Sequence, residues 1–211
     1  MRQWIATICL IVLCSTAQAQ AATILVVGDS ISAAYGLETE QGWVALLQQR
    51  LQEADAEITV VNASISGETT GGGLARFPDL LAQHQPEYVI IELGGNDGLR
   101  GLPIAHMTAN LTTMVRKAKE QDAAVLLLGM RLPSNYGQRY TEAFYNVYQG
   151  IAEQEQVALV DFFLEGVGAV DGMMQADGVH PTQLAQPLLL DNAWQGLAAL
   201  LPLDTNMHFA Q

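Results

Sequence analysis

Ile24-Leu25-Val26-Val27-Gly28-Asp29-Ser30-Ile31-Ser32 is the stretch on which the reading of this chain turns. Four apolar residues, three of them β-branched, run without a polar break into Gly-Asp-Ser. A short continuous apolar run ending in glycine has the pattern of a parallel strand buried on both faces. A serine at the end of such a strand is placed where open α/β sheets carry their sites, beyond the carboxyl ends of the strands.

Working outward, the strand is expected over residues 22–28. Four more apolar runs follow, at 58–61, 88–93, 124–129 and 157–160. Between them lie stretches with helical spacing. Residues 42–54 carry Trp43, Leu46, Leu47 and Leu51 on one face. Residues 108–122 carry Leu111, Met114, Val115 and Ala118, and residues 140–154 carry Phe144, Val147, Tyr148 and Ile151. A last helix is read over 183–200 and a short one over 79–84. Gly71-Gly72-Gly73 is flexible by composition, so any helix there is expected to be weak. Strands alternating with helices predict a three-layer α/β/α sandwich around a central, mostly parallel five-stranded sheet. No internal repeat or linker divides it.

The ends read differently. Residues 1–21 hold one basic residue, an apolar run from Trp4 to Cys14 and an Ala17-Gln18-Ala19 pattern, the signature of a cleaved secretory signal peptide. The run is too short to span a bilayer. Cys14 follows Leu13 where lipidation would want a small residue, so it is not read as a lipid anchor. The expected product is periplasmic or secreted, with a folded domain over 22–203 and a polar tail over 204–211. Cys9 and Cys14 are the only cysteines, and both leave with the signal. The mature chain then has no thiol for a nucleophile, a disulfide or a metal. The formal charge of −13 becomes −14 once Arg2 is removed. Such acidity argues against nucleic-acid or anionic-membrane partners. A monomer is expected.

Three further pieces could act on Ser30. Asp177-Gly178-Val179-His180-Pro181 offers an imidazole as base, with a carboxylate three residues earlier that can reach its other ring nitrogen. Asn96, in Gly94-Gly95-Asn96-Asp97-Gly98, and Gly67, in Asn62-Ala63-Ser64-Ile65-Ser66-Gly67-Glu68, offer an amide and a backbone N–H to an oxyanion. Each piece also has a plain structural reading. Ser30 can start a helix or form a turn. Asp177–Pro181 can be a Gly/Pro-punctuated loop, and the glycines can merely permit bends. What favours the chemical reading is topology: the loops after the first three strands must emerge at one edge. His84, His106 and His208 form no metal-ligand spacing. No metal and no cofactor are expected.

Together these blocks resemble the SGNH hydrolases, also called the GDSL esterase/lipase family, whose letters stand for Ser, Gly, Asn and His. Here they read Gly28-Asp29-Ser30-Ile31-Ser32, Gly67 within Ala63–Thr69, Gly94-Gly95-Asn96-Asp97 and Asp177-Gly178-Val179-His180-Pro181. Order and spacing both match across nearly the whole mature chain. Residues 62–67, 92–101, 131–137 and 139–144 are similar to a periplasmic subgroup of thioesterases and lysophospholipases. Ile31 stands where the family name has leucine, another apolar residue. The resemblance implies Ser30 as nucleophile, His180 as base and then acid, and Asp177 as its orienter. It implies an oxyanion hole of Ser30 N–H, Gly67 N–H and the Asn96 side chain. Leu99 and Leu102, in the Gly-rich loop 98–103 that could move over an acyl chain, and Pro133 are read as substrate-binding.

The implied activity is hydrolysis of small-molecule acyl esters and thioesters (aryl esters, acyl-CoA, lysophospholipids) through an acyl-Ser30 intermediate. A carbohydrate O-acetyl esterase would show the same blocks and stays open as the alternative. A lipid carrier without turnover stays open too, disfavoured by the complete Ser30, Asp177 and His180 set.

Overall fold

A computed structural model describes residues 21–202. The signal peptide expected over 1–21 and the tail over 204–211 lie almost wholly outside these residues. Five strands form one sheet: β1 (Ala22–Gly28), β2 (Ile58–Asn62), β3 (Tyr88–Glu92), β4 (Ala124–Leu128) and β5 (Ala158–Val160). Their order is β2-β1-β3-β4-β5 and every neighbouring pair is parallel. The continuous apolar runs are thereby explained. Ile24 to Val27, Val89 to Ile91 and Val125 to Leu128 are all buried, as strands covered on both faces must be.

Two groups of helices supply the covers. α1 (Trp43–Glu53) packs with α6 (Gln186–Leu197). α2 (Thr70–His84), α4 (Ile104–Lys119) and α5 (Gln138–Glu155) pack side by side in a second group. The expected helical stripes face the core: Trp43, Leu47 and Leu51, with Leu46 half-buried beside them; Leu111, Met114, Val115 and Ala118; Phe144, Val147, Tyr148 and Ile151. Among the described residues no helix is long and apolar enough to cross a membrane.

Two local expectations need correction. First, the Gly71-Gly72-Gly73 run is helical, and α2 extends from Thr70 through Pro78 rather than starting near Asp79. Tertiary contacts outweigh propensity here. The Thr69 hydroxyl accepts the Gly72 N–H at 3.3 Å. The buried Asp97 carboxylate accepts the Thr70 N–H at 2.8 Å and the Thr70 hydroxyl as well. Gly73 lies so close to the end of β3 that a Cβ would come within 2.5 Å of Leu93 Cδ1. Second, the glycine-rich motif after β3, whose plain structural reading is a bend, is a one-turn helix, α3 (Gly95–Leu99). Gly94 precedes it with φ of 115°, and a Cβ there would sit 2.4 Å from the Tyr148 hydroxyl. Only glycine satisfies both conditions.

Candidate active site

Because all five strands point the same way, the loops after β1, β2 and β3 leave from one edge. They are stitched together there. The Ile65 N–H donates to Gly28 O at 3.1 Å. The Asn62 amide donates to Ser32 O at 2.8 Å. The Asn96 Nδ2 donates to Asp29 Oδ2 at 3.0 Å. The convergence that topology predicts is therefore built from hydrogen bonds.

Ser30 does not begin a regular helix. It opens a series of turns, closed by Ala33 N–H to Asp29 O at 3.0 Å and Tyr35 N–H to Ser30 O at 3.0 Å. These end at Ala34 and Gly36, both at positive φ. The Ser30 hydroxyl meets His180 Nε2 at 2.9 Å. His180 Nδ1 meets Asp177 Oδ2 at 2.7 Å. The carboxylate beside Nδ1 keeps the ring proton on that nitrogen, leaving Nε2 free to accept from the serine. Asp177 also accepts the Val179 N–H at 2.9 Å and the His180 N–H at 3.0 Å through Oδ1. Its bond to His180, then these backbone donors, hold its carboxyl down from 3.8 to about 2. One short loop thus sets both members of the pair, with Gly178 at φ of 69° making the bend.

Features not read from sequence brace this arrangement. The Tyr35 ring lies over the His180 imidazole, centroids 4.3 Å apart. The Gln175 amide donates to Tyr35 O at 2.8 Å and to Pro181 O at 3.0 Å, and Gln175 N–H to His180 O at 2.7 Å. The loop of Ser30 and the loop of His180 are clipped together by this one residue. Arg100 Nη2 donates to Gly67 O at 3.0 Å and so restrains the Gly67 loop. Ser30 N–H and Gly67 N–H donate to no group among the described residues. The Asn96 amide keeps a second hydrogen after serving Asp29. Three donors are thus free for an anion.

Leu99, Leu102 and Pro133 are exposed, and they gather around two tyrosines. Tyr136 OH donates to Leu99 O and Tyr140 OH to Leu102 O, each at 3.0 Å, so the Gly98–Pro103 segment is anchored rather than free. A shallow cavity of about 450 Å³ lies beside them, lined by Tyr136, Gln138, Arg139, Tyr140 and Ala143. A second, of about 400 Å³, lies past the end of β5 between Arg131 and Gly196. The Ser30–His180 pair is in neither. Hydrogen-bond geometry defines the site, since a concavity alone carries no chemistry.

A doubly wound parallel sheet with a serine, a histidine and a carboxylate joined in series at its carboxyl edge defines a serine hydrolase of the α/β class. The chain belongs to the GDSL-like Lipase/Acylhydrolase family, which matches residues 26–186. It is 60% identical over 201 residues to Esterase TesA of Pseudomonas aeruginosa, covering 95% of this chain and all of that one. It is 44% identical over 203 residues to Thioesterase 1/protease 1/lysophospholipase L1 of Escherichia coli, covering 96% of each. A crystal structure of TesA superposes with a TM-score of 0.83 at 62% identity, covering 85% of this chain and 99% of that one. The enzyme acts on ester bonds.

Proposed function

We propose that the chain is an exported hydrolase of acyl esters and thioesters that works through an acyl-Ser30 intermediate. The observation that carries the reading is the continuous series Ser30 Oγ, His180 Nε2, His180 Nδ1 and Asp177 Oδ2, with links of 2.9 and 2.7 Å. His180 takes the serine proton as Oγ attacks the acyl carbon. Charge collects on the carbonyl oxygen and is met by Ser30 N–H, Gly67 N–H and the free hydrogen of the Asn96 amide. His180 then returns its proton to the departing alcohol or thiol. Water repeats the sequence on the acyl-serine, with His180 again as base.

The acyl portion lies against Leu99, Leu102 and Pro133, the exposed apolar residues nearest in sequence to the Asn96 helix and to the Tyr136 turn. TesA and the Escherichia coli enzyme, whose names include esterase, thioesterase and lysophospholipase, support esters, thioesters and lysophospholipids as the substrate classes to assay. The composition of residues 1–21 supports export to the periplasm or beyond.

The test is a fluorophosphonate probe followed by peptide mass analysis, run beside a panel of aryl ester, acyl-CoA, lysophospholipid and acetylated sugar. Label on Ser30, its loss in Ser30→Ala, and turnover of the longer acyl donors are expected. An unlabelled Ser30, or turnover confined to the acetylated sugar, overturns the proposal.

A further inference from the structure

Beneath the turn that carries Ser30 lie two carboxyl groups for which acyl transfer has no use. Glu92 ends β3 in register with Gly28 of β1. A Cβ on Gly28 would stand 2.8 Å from Glu92 Oε2, so the glycine is what lets the carboxyl lie against the turn. Glu92 has no exposed surface. Its Oε2 accepts the Ser32 hydroxyl at 2.8 Å and the Asp29 N–H at 3.3 Å. The Trp43 indole N–H donates to the same Ser32 oxygen at 3.2 Å. Glu92 Oε1 is buried and receives no hydrogen bond.

Asp29 is its neighbour, 2% exposed. Asp29 Oδ1 accepts the Ile31 N–H at 3.1 Å, and Oδ2 accepts the Asn96 amide at 3.0 Å. Adjacent carboxylates away from water cannot both be ionised. An oxygen that receives nothing, beside an anion that receives two donors, is where the proton belongs. The electrostatics run the same way. Burial, then Asp29, push the Glu92 carboxyl well above its ordinary value. Burial raises Asp29 only to about 6, because Ile31 N–H, the Asn96 amide, His180 and a hydrogen bond with Glu92 favour its anion. The other ionisable groups near the pair are Tyr148 of α5 and Asp97 of α3. The Tyr148 hydroxyl is held neutral and donates to Leu93 O at 3.0 Å. Asp97 is turned toward Thr70.

We propose that Glu92 is a positioning residue acting as a neutral acid: its O–H fixes Asp29 as an anion, and Asp29 in turn fixes the Asn96 amide, aiming the second amide hydrogen at the oxyanion. The inference rests on the reading of Asn96 given above. A glutamine is an isostere of the neutral acid, since it can donate to Asp29 and still accept from Ser32. An alanine can do neither. Because Asn96 serves the transition state, its misplacement lowers kcat and leaves KM nearly alone.

The experiment compares Glu92→Gln and Glu92→Ala with the native enzyme at pH 8 on an aryl ester. Glu92→Gln is expected within about tenfold of native kcat. Glu92→Ala is expected to lose about 30- to 100-fold in kcat, below the roughly 10²- to 10³-fold that removal of an oxyanion donor costs. The double variant Glu92→Ala/Asn96→Ala should be no slower than Asn96→Ala alone. If Glu92→Ala does not fold, infrared spectroscopy decides with Glu92→Gln: a protonated-carboxyl stretch present in the native protein at pH 8 should vanish in the variant. A loss beyond tenfold in Glu92→Gln, or no such band in the native protein, overturns the inference. Ser30→Ala separates the two levels. If it remains active the catalytic reading fails; if it is dead while Glu92→Gln is crippled, only the role of Glu92 fails.

Discussion

Replacing Asp177 by asparagine tests the order of the Ser30–His180–Asp177 series more sharply than removing the Ser30 hydroxyl. The carboxylate has three donors to satisfy: His180 Nδ1 at 2.7 Å, Val179 N–H at 2.9 Å and His180 N–H at 3.0 Å. An asparagine oxygen in place of Oδ1 still accepts both backbone donors, so the loop keeps its shape. Its amide nitrogen then faces Nδ1 and can only donate. The imidazole must move its proton to Nε2, which points at Ser30 Oγ from 2.9 Å. A protonated Nε2 cannot accept the serine proton. The expected loss is about 10⁴-fold in kcat, the size seen when the orienting carboxylate of a triad becomes an amide. That is about 5.4 kcal/mol of transition-state stabilisation. KM should hardly change, since Asp177 lies behind the histidine and away from the acyl group. The assay is steady-state hydrolysis of a p-nitrophenyl ester, with circular dichroism to confirm the fold and Ser30→Ala to set the floor. Less than a tenfold loss in a folded Asp177→Asn protein would refute the assignment of the orienter. Because Asp177 stays ionised down to about pH 2, its protonation should add nothing to the acid limb of activity above about pH 3.

Other predictions address stability. Asp29 has its folded value raised from 3.8 to about 6. At 1.36 kcal/mol per pH unit this group alone costs the fold about 3 kcal/mol once both states are ionised. The stability is present below about pH 4 and lost as pH rises through about 6. Urea titrations of native and Asp29→Asn protein at pH 4 and pH 8 should therefore show the variant gaining on the native toward pH 8; a constant difference would refute this. Gly150, in the middle of α5, has no atom within 4 Å of the place a Cβ would occupy. Gly150→Ala should stabilise by about 1 kcal/mol and raise Tm by about 2–4 °C in calorimetry, with activity unchanged. Gly98→Ala should do the reverse, because its Cβ would come 2.6 Å from Phe144 Cε2 and 2.7 Å from Leu132 Cδ2. A cost of about 1–3 kcal/mol in urea unfolding is expected.

The parallel strands could be read from sequence because burial on both faces leaves an apolar run with no alternation to confuse it. The Ser30, Gly67 and Asn96 blocks could be read because the loops after three parallel strands must emerge at one edge, and the His180 block because a carboxylate three residues before an imidazole can reach its ring. The start of α2 could not be read, since Gly71 to Gly73 are poor helix formers and the carboxylate that anchors the first turn, Asp97, belongs to another loop. Nor could Tyr35 over His180, a contact between the two ends of the domain. Glu92 lies between these cases. It is the lone charge in the run Tyr88 to Leu93, and a charge in a strand with no wet face has no solvent to reach. Such a residue must be answered by its neighbours in space, and in a parallel sheet the neighbour at a strand end is the next strand's loop. Here that loop is Gly28-Asp29-Ser30. Glycine at 28 makes room for the carboxyl and Asp29 donates its N–H to it. The same two residues thus lie between a buried acid below and Ser30 above. The physical reason for glycine and aspartate before the serine is therefore as much in β3 as in the turn itself.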